Sequence, residues 1–151
     1  MLDVRAMRIE VSGHNISFDP GTEWVLQEPY SDREVQQRHG VYLRSSAHGI
    51  DAHVRGYAAV GFALNLEGLL AMLRNQGAAA PVDEETMVLG PLTIVAGTFE
   101  TPAFGGTFVR EFFITDGEMQ ANAAAIGSRE ALSAAKPAIE ALVTSIRFES
   151  S

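Results

Sequence analysis

Ser128-Arg-Glu-Ala-Leu132-Ser-Ala-Ala-Lys136-Pro-Ala-Ile139-Glu-Ala-Leu142-Val143-Thr-Ser-Ile146-Arg-Phe148 carries a helical period to the end of the chain. Leu132, Ala135, Ile139, Leu142, Val143 and Ile146 recur mostly at spacings of three and four, which at about 100° per residue gathers them within an arc of roughly 100°. Ser128 can cap the start, its hydroxyl accepting from a first-turn N–H. Pro137 lies nearly opposite the apolar arc. An interior proline costs about 3 kcal/mol or more, whereas burying this face returns up to about 10 kcal/mol. Two arrangements satisfy that balance. One is a kinked helix with Pro137 on its wet side; the other is a break at Lys136 and a new helix with Pro137 at its first position. Both put Ile139 to Ile146 in the core.

Upstream of this segment the period shortens to two. Thr86 to Leu89, Leu92 to Glu100, Thr107 to Thr115 and Glu118 to Ala125 are predicted as four strands of a meander. Its turns are Gly90-Pro91, Phe104-Gly105-Gly106 and Asp116-Gly117, the last a strong hairpin signal between two apolar runs. Before it, Gly77 to Pro81 and Asp83-Glu84-Glu85 read as an exposed, mobile, acidic connection. A helix precedes that connection: Asn65 is a good N-cap, Glu67 suits the dipole, Leu66, Leu69, Leu70 and Leu73 share a face, and Gly77 is a natural terminator. Gly68 weakens it by about 1 kcal/mol, less than burial of the four leucines contributes at about 1.5–3 kcal/mol each.

The N-terminal half is strand-like. Arg8 to Val11 and Asn15 to Phe18 alternate around Ser12-Gly13 and are expected to form a hairpin. Thr22 to Leu26 follows as a third strand with Trp24 and Leu26 on one face. Residues 27–39 are polar and without period, a loop with at most one helical turn. Gly40 to Ser45 and Ile50 to Tyr57 form another pair, with Ile50, Ala52 and Val54 facing the core.

The 151 residues suit one domain, 1–151, and bury enough surface for a core. There is no cysteine, which removes disulfides, thiolate metal sites and cysteine nucleophiles together. Eleven Lys+Arg against nineteen Asp+Glu give a net charge of -8, which argues against a nucleic-acid partner, since such binding is driven by clustered cations. Charges interrupt every apolar stretch near Met1, so no secretory h-region is present, and no window spans a bilayer. The chain as written is therefore expected in the cytoplasm, without a membrane partner. All basic residues but Lys136 are Arg, and alanine is abundant, a composition suggesting a bacterium with a GC-rich genome.

A strand meander running into an alanine-rich helix and the tail Ser145-Ile146-Arg147-Phe148 resembles the PsbP-like α/β/α sandwich, and more loosely its bacterial DcrB-like members. The likeness covers residues 86–148 by pattern and residues 7–80 by element order. It implies an α+β fold in which an antiparallel β-sheet meander packs against two helices. It also implies a non-enzymatic role, since such proteins are generally accessory, chaperone or partner-binding, several tied to secretion systems. The absence of a signal and of a lipidated cysteine departs from the lipoprotein members and points to cytosolic ones, such as effector chaperones and immunity proteins.

The chemistry-bearing patterns are few. His48, Asp51 and His53 could offer two imidazoles and a carboxylate from one strand region, but a solvated strand face explains them more simply, and neither metal nor other cofactor is assigned. There is no nucleophile elbow and no phosphate-cradling loop; Gly105-Gly106 reads as a hairpin turn. Asp83, Glu84 and Glu85 are adjacent, not set across a cleft as paired catalytic carboxylates are. For docking, Tyr30 within Glu28-Pro-Tyr-Ser-Asp32-Arg33 is the best exposed aromatic, and Asp83, Glu84 and Glu85 form a second patch. Partner-binding residues are thus expected among Tyr30, Asp32, Arg33, Asp83, Glu84 and Glu85. The expected function is a protein-binding module holding a basic effector or toxin, its acidic surface steering that partner. The alternative is a ligand-binding domain or small enzyme with a pocket between sheet and helix and Arg44, Arg55 or Arg110 as anion clamp. A homo-oligomer is also open.

Overall fold

The computed structural model describes residues 9–11, 16–27, 40–57, 64–75, 80–101 and 106–148. Along them run β1 (Ile9–Val11), β2 (Ile16–Phe18), β3 (Val25–Gln27), β4 (Val41–Ser45), β5 (Ile50–Tyr57), α1 (Leu66–Arg74), β6 (Asp83–Leu89), β7 (Leu92–Glu100), β8 (Thr107–Thr115), β9 (Gln120–Ser128), α2 (Arg129–Ala134), α3 (Lys136–Thr144) and β10 (Arg147–Phe148). Seven strands form one sheet in the order β3-β4-β5-β9-β8-β7-β6, and β1, β2 and β10 form a second, with β2 central. Every neighbouring pair is antiparallel. The chain lays down β3 to β5, crosses through α1 to the far edge, and returns strand by strand until β9 closes against β5.

Period-2 alternation divides the large sheet into two faces. Ile50, Ala52 and Val54 of β5, Ala121, Ala123 and Ala125 of β9, Phe112 and Ile114 of β8, and Ile94 and Ala96 of β7 point to one side and are buried. The β9 alanines keep the middle of that face low, so a helix can approach the sheet closely. Leu132, Ala135, Ile139, Leu142, Val143 and Ile146 cover this face and are each at most 6% exposed. All six residues of the apolar arc are therefore core, joined there by Trp24, Ile16 and Phe18. Trp24 also donates its indole N–H to the Ala138 carbonyl at 3.3 Å. On the opposite face α1 packs Leu69, Met72 and Leu73 over Val95 and Phe113. The result is the expected α+β architecture, an antiparallel sheet between two helical layers.

The helical segment breaks at Ala135, and α3 restarts with Pro137 in its first turn. The break wins over a kink because proline's missing N–H costs nothing where no intrahelical partner exists. Ser128 caps α2 by accepting from the Ala131 N–H at 3.1 Å. Asn65 caps α1 by accepting from Gly68 N–H at 2.8 Å. The other end of α1 is closed by Asn75, whose side chain donates to the Ala71 carbonyl at 2.6 Å, two residues before the expected Gly77. Leu66 is 42% exposed and Met72 takes its place in the core.

Three further expectations are corrected. Trp24 and Leu26 do not share a buried face: Trp24 precedes β3 and is 5% exposed, whereas Leu26 on that edge strand is 47% exposed. Asp83-Glu84-Glu85 is the start of strand β6 and not a connecting loop. The meander's last strand extends to Ser128, with the turn at Asp116 and Gly117 held by Asp116 accepting from the Glu118 and Met119 N–H groups. The N-terminal hairpin forms as expected, but as part of the small sheet, which packs at the end of the α2–α3 layer; its Ser12-Gly13 turn lies outside the described residues.

Candidate functional site

Among the described residues, two clefts border the α2–α3 layer, one at each end of β6. The first begins with strand register. Asp83, Thr98 and Arg110 face one another across β6, β7 and β8, and Glu85 and Phe112 follow two residues along on the same side. Arg110 lies flat among them, with its guanidinium carbon 5.5 Å from the Phe112 ring centre. Its Nη1 donates to Asp83 Oδ1 and to Thr98 Oγ1, each at 2.8 Å, and its Nη2 to Glu85 Oε2 at 3.0 Å. The Thr98 hydroxyl donates in turn to Asp83 Oδ1 at 2.8 Å. From the helical side, Lys136 at the start of α3 donates to Glu85 Oε2 at 3.3 Å and pairs with Glu140 at 3.4 Å. Asp83, Glu85, Thr98, Arg110 and Lys136, with Glu84, Arg129, Leu132 and Ser133, line a groove of about 330 Å³.

The cations in this groove are matched by carboxylates. The hydrogen bond and charge of Glu85, then Glu140, raise the Lys136 pKa above its ordinary value, which favours its ammonium form. Arg129 stands apart: its guanidinium carbon is 5.7 Å from the Phe108 ring centre and, among the described residues, no carboxylate pairs with it. The groove is thus an ion-paired clasp tying the first turn of α3 to the edge of the sheet. The Glu84 carboxylate takes no part in these pairs, because alternation turns it to the α1 face. There it forms a two-pronged pair with Arg74, Nε to Oε2 at 2.8 Å and Nη2 to Oε1 at 2.9 Å. That hydrogen bond lowers the Glu84 pKa and raises that of Arg74.

The second cleft lies at the turn end. Leu89, Pro91 and Leu92 from the β6–β7 turn, Asp116 and Glu118 from the β8–β9 turn, and Thr144, Arg147 and Phe148 from the chain's last helix and strand line a notch of about 720 Å³. Gly90, with φ +58, opens the two-residue turn; its left-handed backbone is one that glycine adopts without strain. Among the described residues Arg147 makes no ion pair with these carboxylates. Its Nη1 donates to the Thr144 and Ile146 carbonyls, each at 2.8 Å, at the C-terminal end of α3. Among the described residues Glu118 has no cationic partner, and the notch combines an apolar floor with an acidic rim.

The other patterns singled out in the sequence disperse. His48 faces Glu23 at 3.7 Å, Asp51 pairs with Arg44 at 3.0 Å, and His53 stacks on Tyr42 at 4.3 Å between ring centres. Among the described residues no three potential ligands gather to hold a metal ion. Arg44, Arg55 and Arg110 do not converge: the first two point to the α1 face and Arg110 to the other. Asp83 and Glu85 come together, Glu84 does not join them, and Tyr30, Asp32 and Arg33 lie outside the described residues. Sequence reading missed Thr98, Lys136, Glu140, Asp116 and Glu118. The signal for the first cleft was the shared period of Asp83 and Glu85 with Arg110 and Phe112.

Beside α1, the sheet face carries a second polar group. Gln120 and Asn122 are 3% and 7% exposed, and the Gln120 side chain donates to Asn122 at 3.4 Å. Burial raises the Glu111 pKa, opposed by the charge of Arg55.

No protein-family model and no curated protein sequence matches the chain. Among solved structures, the solution structure of cyanobacterial PsbP (CyanoP) from Synechocystis sp. PCC 6803 matches with a TM-score of 0.60 at 10% sequence identity. The match covers 94% of this chain and 91% of that one. The chain therefore has a PsbP-like fold, and the likeness speaks for the fold alone. No helix among the described residues is long and apolar enough to cross a membrane.

Proposed function

We propose that this chain is a non-enzymatic protein-binding module of the bacterial cytoplasm, an immunity protein or chaperone that holds or neutralises a basic effector or toxin. The observation that carries this reading is the notch, in which Leu89, Pro91 and Phe148 lie beside Asp116 and Glu118, neither carboxylate being ion-paired among the described residues although Arg147 lines the same notch. An apolar floor supplies burial, and the acidic rim favours lysine or arginine on the partner. The net charge of -8 extends that preference to long range and to the association rate. The clasp supports the same reading over the alternative of a ligand-binding domain or enzyme, because Arg110 and Lys136 are committed to Asp83, Glu85 and Glu140.

The experiment is calorimetry and stopped-flow binding against the product of the neighbouring gene. The association rate is expected to fall steeply with added salt, and Glu118→Lys to weaken binding about tenfold. Absence of affinity at low salt overturns the reading.

A further inference from the structure

We infer that the partner docks by adding a strand to the free edge of β6, an extended apolar segment carrying lysine or arginine that runs along β6 toward the notch. This rests on the protein-binding reading and names how the partner is held.

Three observations lead to it. First, among the described residues β6 pairs only with β7, so its other side presents a row of backbone groups. The two-residue Gly90-Pro91 turn makes Leu89 and Leu92 the closing hydrogen-bonded pair, so the N–H and C=O groups of Val88 and Thr86 point away from β7. Seven regular residues leave room for several such bonds. Second, exposed apolar side chains gather at this edge: Val82 is 48%, Val88 71% and Leu89 44% exposed. Edge strands are ordinarily blunted by charge; here Asp83, Glu84 and Glu85 are bound up with Arg110, Arg74 and Lys136, and the half that continues to Leu89 carries no charge. Third, Leu89 belongs both to the edge and to the notch. A strand laid along Thr86 and Val88 arrives at Leu89, one wall of the notch; its continuation past the Gly90-Pro91 turn is the part that meets Pro91 and Phe148 and, beyond β7, the carboxylates of Asp116 and Glu118.

A second copy of this chain fits less well. Antiparallel self-pairing about Thr86 would set Glu84 against Val88 and Asp83 against Leu89, placing each apolar end beside a carboxylate. A partner segment with alternating apolar and basic residues avoids that mismatch and answers the acidic rim.

The test uses the full chain and two short labelled peptides, one alternating valine with lysine and one alternating valine with glutamate. Binding is followed by fluorescence anisotropy, and edge occupancy by amide hydrogen exchange. The valine–lysine peptide is expected to bind and to slow exchange at Thr86 and Val88. Val88→Pro removes one outward donor at an exposed edge position where proline is tolerated, and should weaken binding about tenfold. Val88→Lys keeps the backbone intact and should weaken it similarly by repelling the basic peptide, which covers the case in which the proline variant fails to fold. Equal binding of the valine–glutamate peptide overturns the charge preference. Concentration-dependent self-association that Val88→Pro abolishes replaces the partner with a second copy and overturns the inference. Peptide binding that leaves both amides and both variants unaffected overturns edge docking while the protein-binding reading stands. Absence of any peptide binding, with the neighbouring gene's product still bound, has the same meaning.

Discussion

The Cδ methyl groups of Leu73 rest over the backbone of Gly97, so near that a Cβ at residue 97 would come to 3.0 Å from both. Space and not backbone conformation favours glycine there, and this contact seats α1 against β7. Gly97→Ala is expected to cost about 1–3 kcal/mol through overpacking, and Leu73→Ala about 2–5 kcal/mol through the cavity left behind. In the double variant the alanine methyl partly fills that cavity, so the combined loss should fall short of the sum. Urea unfolding of the four proteins measures the coupling. Strict additivity would mean that the two residues do not act on each other.

Arg110 is the hub of the ion-paired clasp, its side chain only 11% exposed. Arg110→Met keeps the stem over Phe112 but strips Asp83 and Glu85 of their shared guanidinium. A loss of about 1–3 kcal/mol is expected, reduced because both carboxylates retain solvent. Added salt should narrow the gap between the two proteins, since it screens what the wild type alone possesses. A gap unchanged at high salt would assign the loss to packing.

Ser145 joins the start and the end of the chain. Its hydroxyl accepts the Asp19 N–H at 2.8 Å and donates within reach of the Leu142 carbonyl at 2.7 Å. Ser145→Ala leaves the Asp19 N–H without that partner, at a cost of about 1–2 kcal/mol. The Asp19 amide should exchange faster even where global stability is matched by choice of temperature.

Glu111 governs a pH dependence whose sign is the reverse of an ion-paired carboxylate's. Burial raises its folded-state pKa above the ordinary 4.5, with Arg55 opposing. The folded chain then holds the proton more tightly than the unfolded one, so stability falls as pH rises through the window between the two values. Glu111→Gln should remove that decline and gain stability over the wild type near neutrality. Denaturation midpoints of both proteins at mildly acidic and neutral pH test this; parallel curves would exclude Glu111 as the source.

Much of this architecture was legible because local chemistry and global placement agree. The arc from Leu132 to Ile146, the Asn65 cap and the Asp116-Gly117 turn are each dictated within a few residues, and each appears where expected. Asp83 to Glu85 reads as a loop in the sequence because three successive carboxylates carry no apolar alternation. Their strand character depends on Thr98 and Arg110, which only strand register brings alongside. The strand period pairs Trp24 with Leu26 for a related reason, whereas its burial comes from the core and from the Ala138 carbonyl, more than a hundred positions away. The clefts were least legible of all, since each draws its lining from segments that meet only after the meander has closed.

Because β9 is the last strand of the large sheet and completes it beside β5, synthesis from the N-terminus leaves the flank of β5 uncovered until residues 120–128 have emerged. During that interval the nascent chain exposes a hydrogen-bonding ribbon nearly as long as the one that later seals it, and apolar side chains still lacking their helical cover. Ribosome-associated factors would have the most to protect at that stage, and loss of β9 by premature termination should yield aggregates instead of a shortened fold.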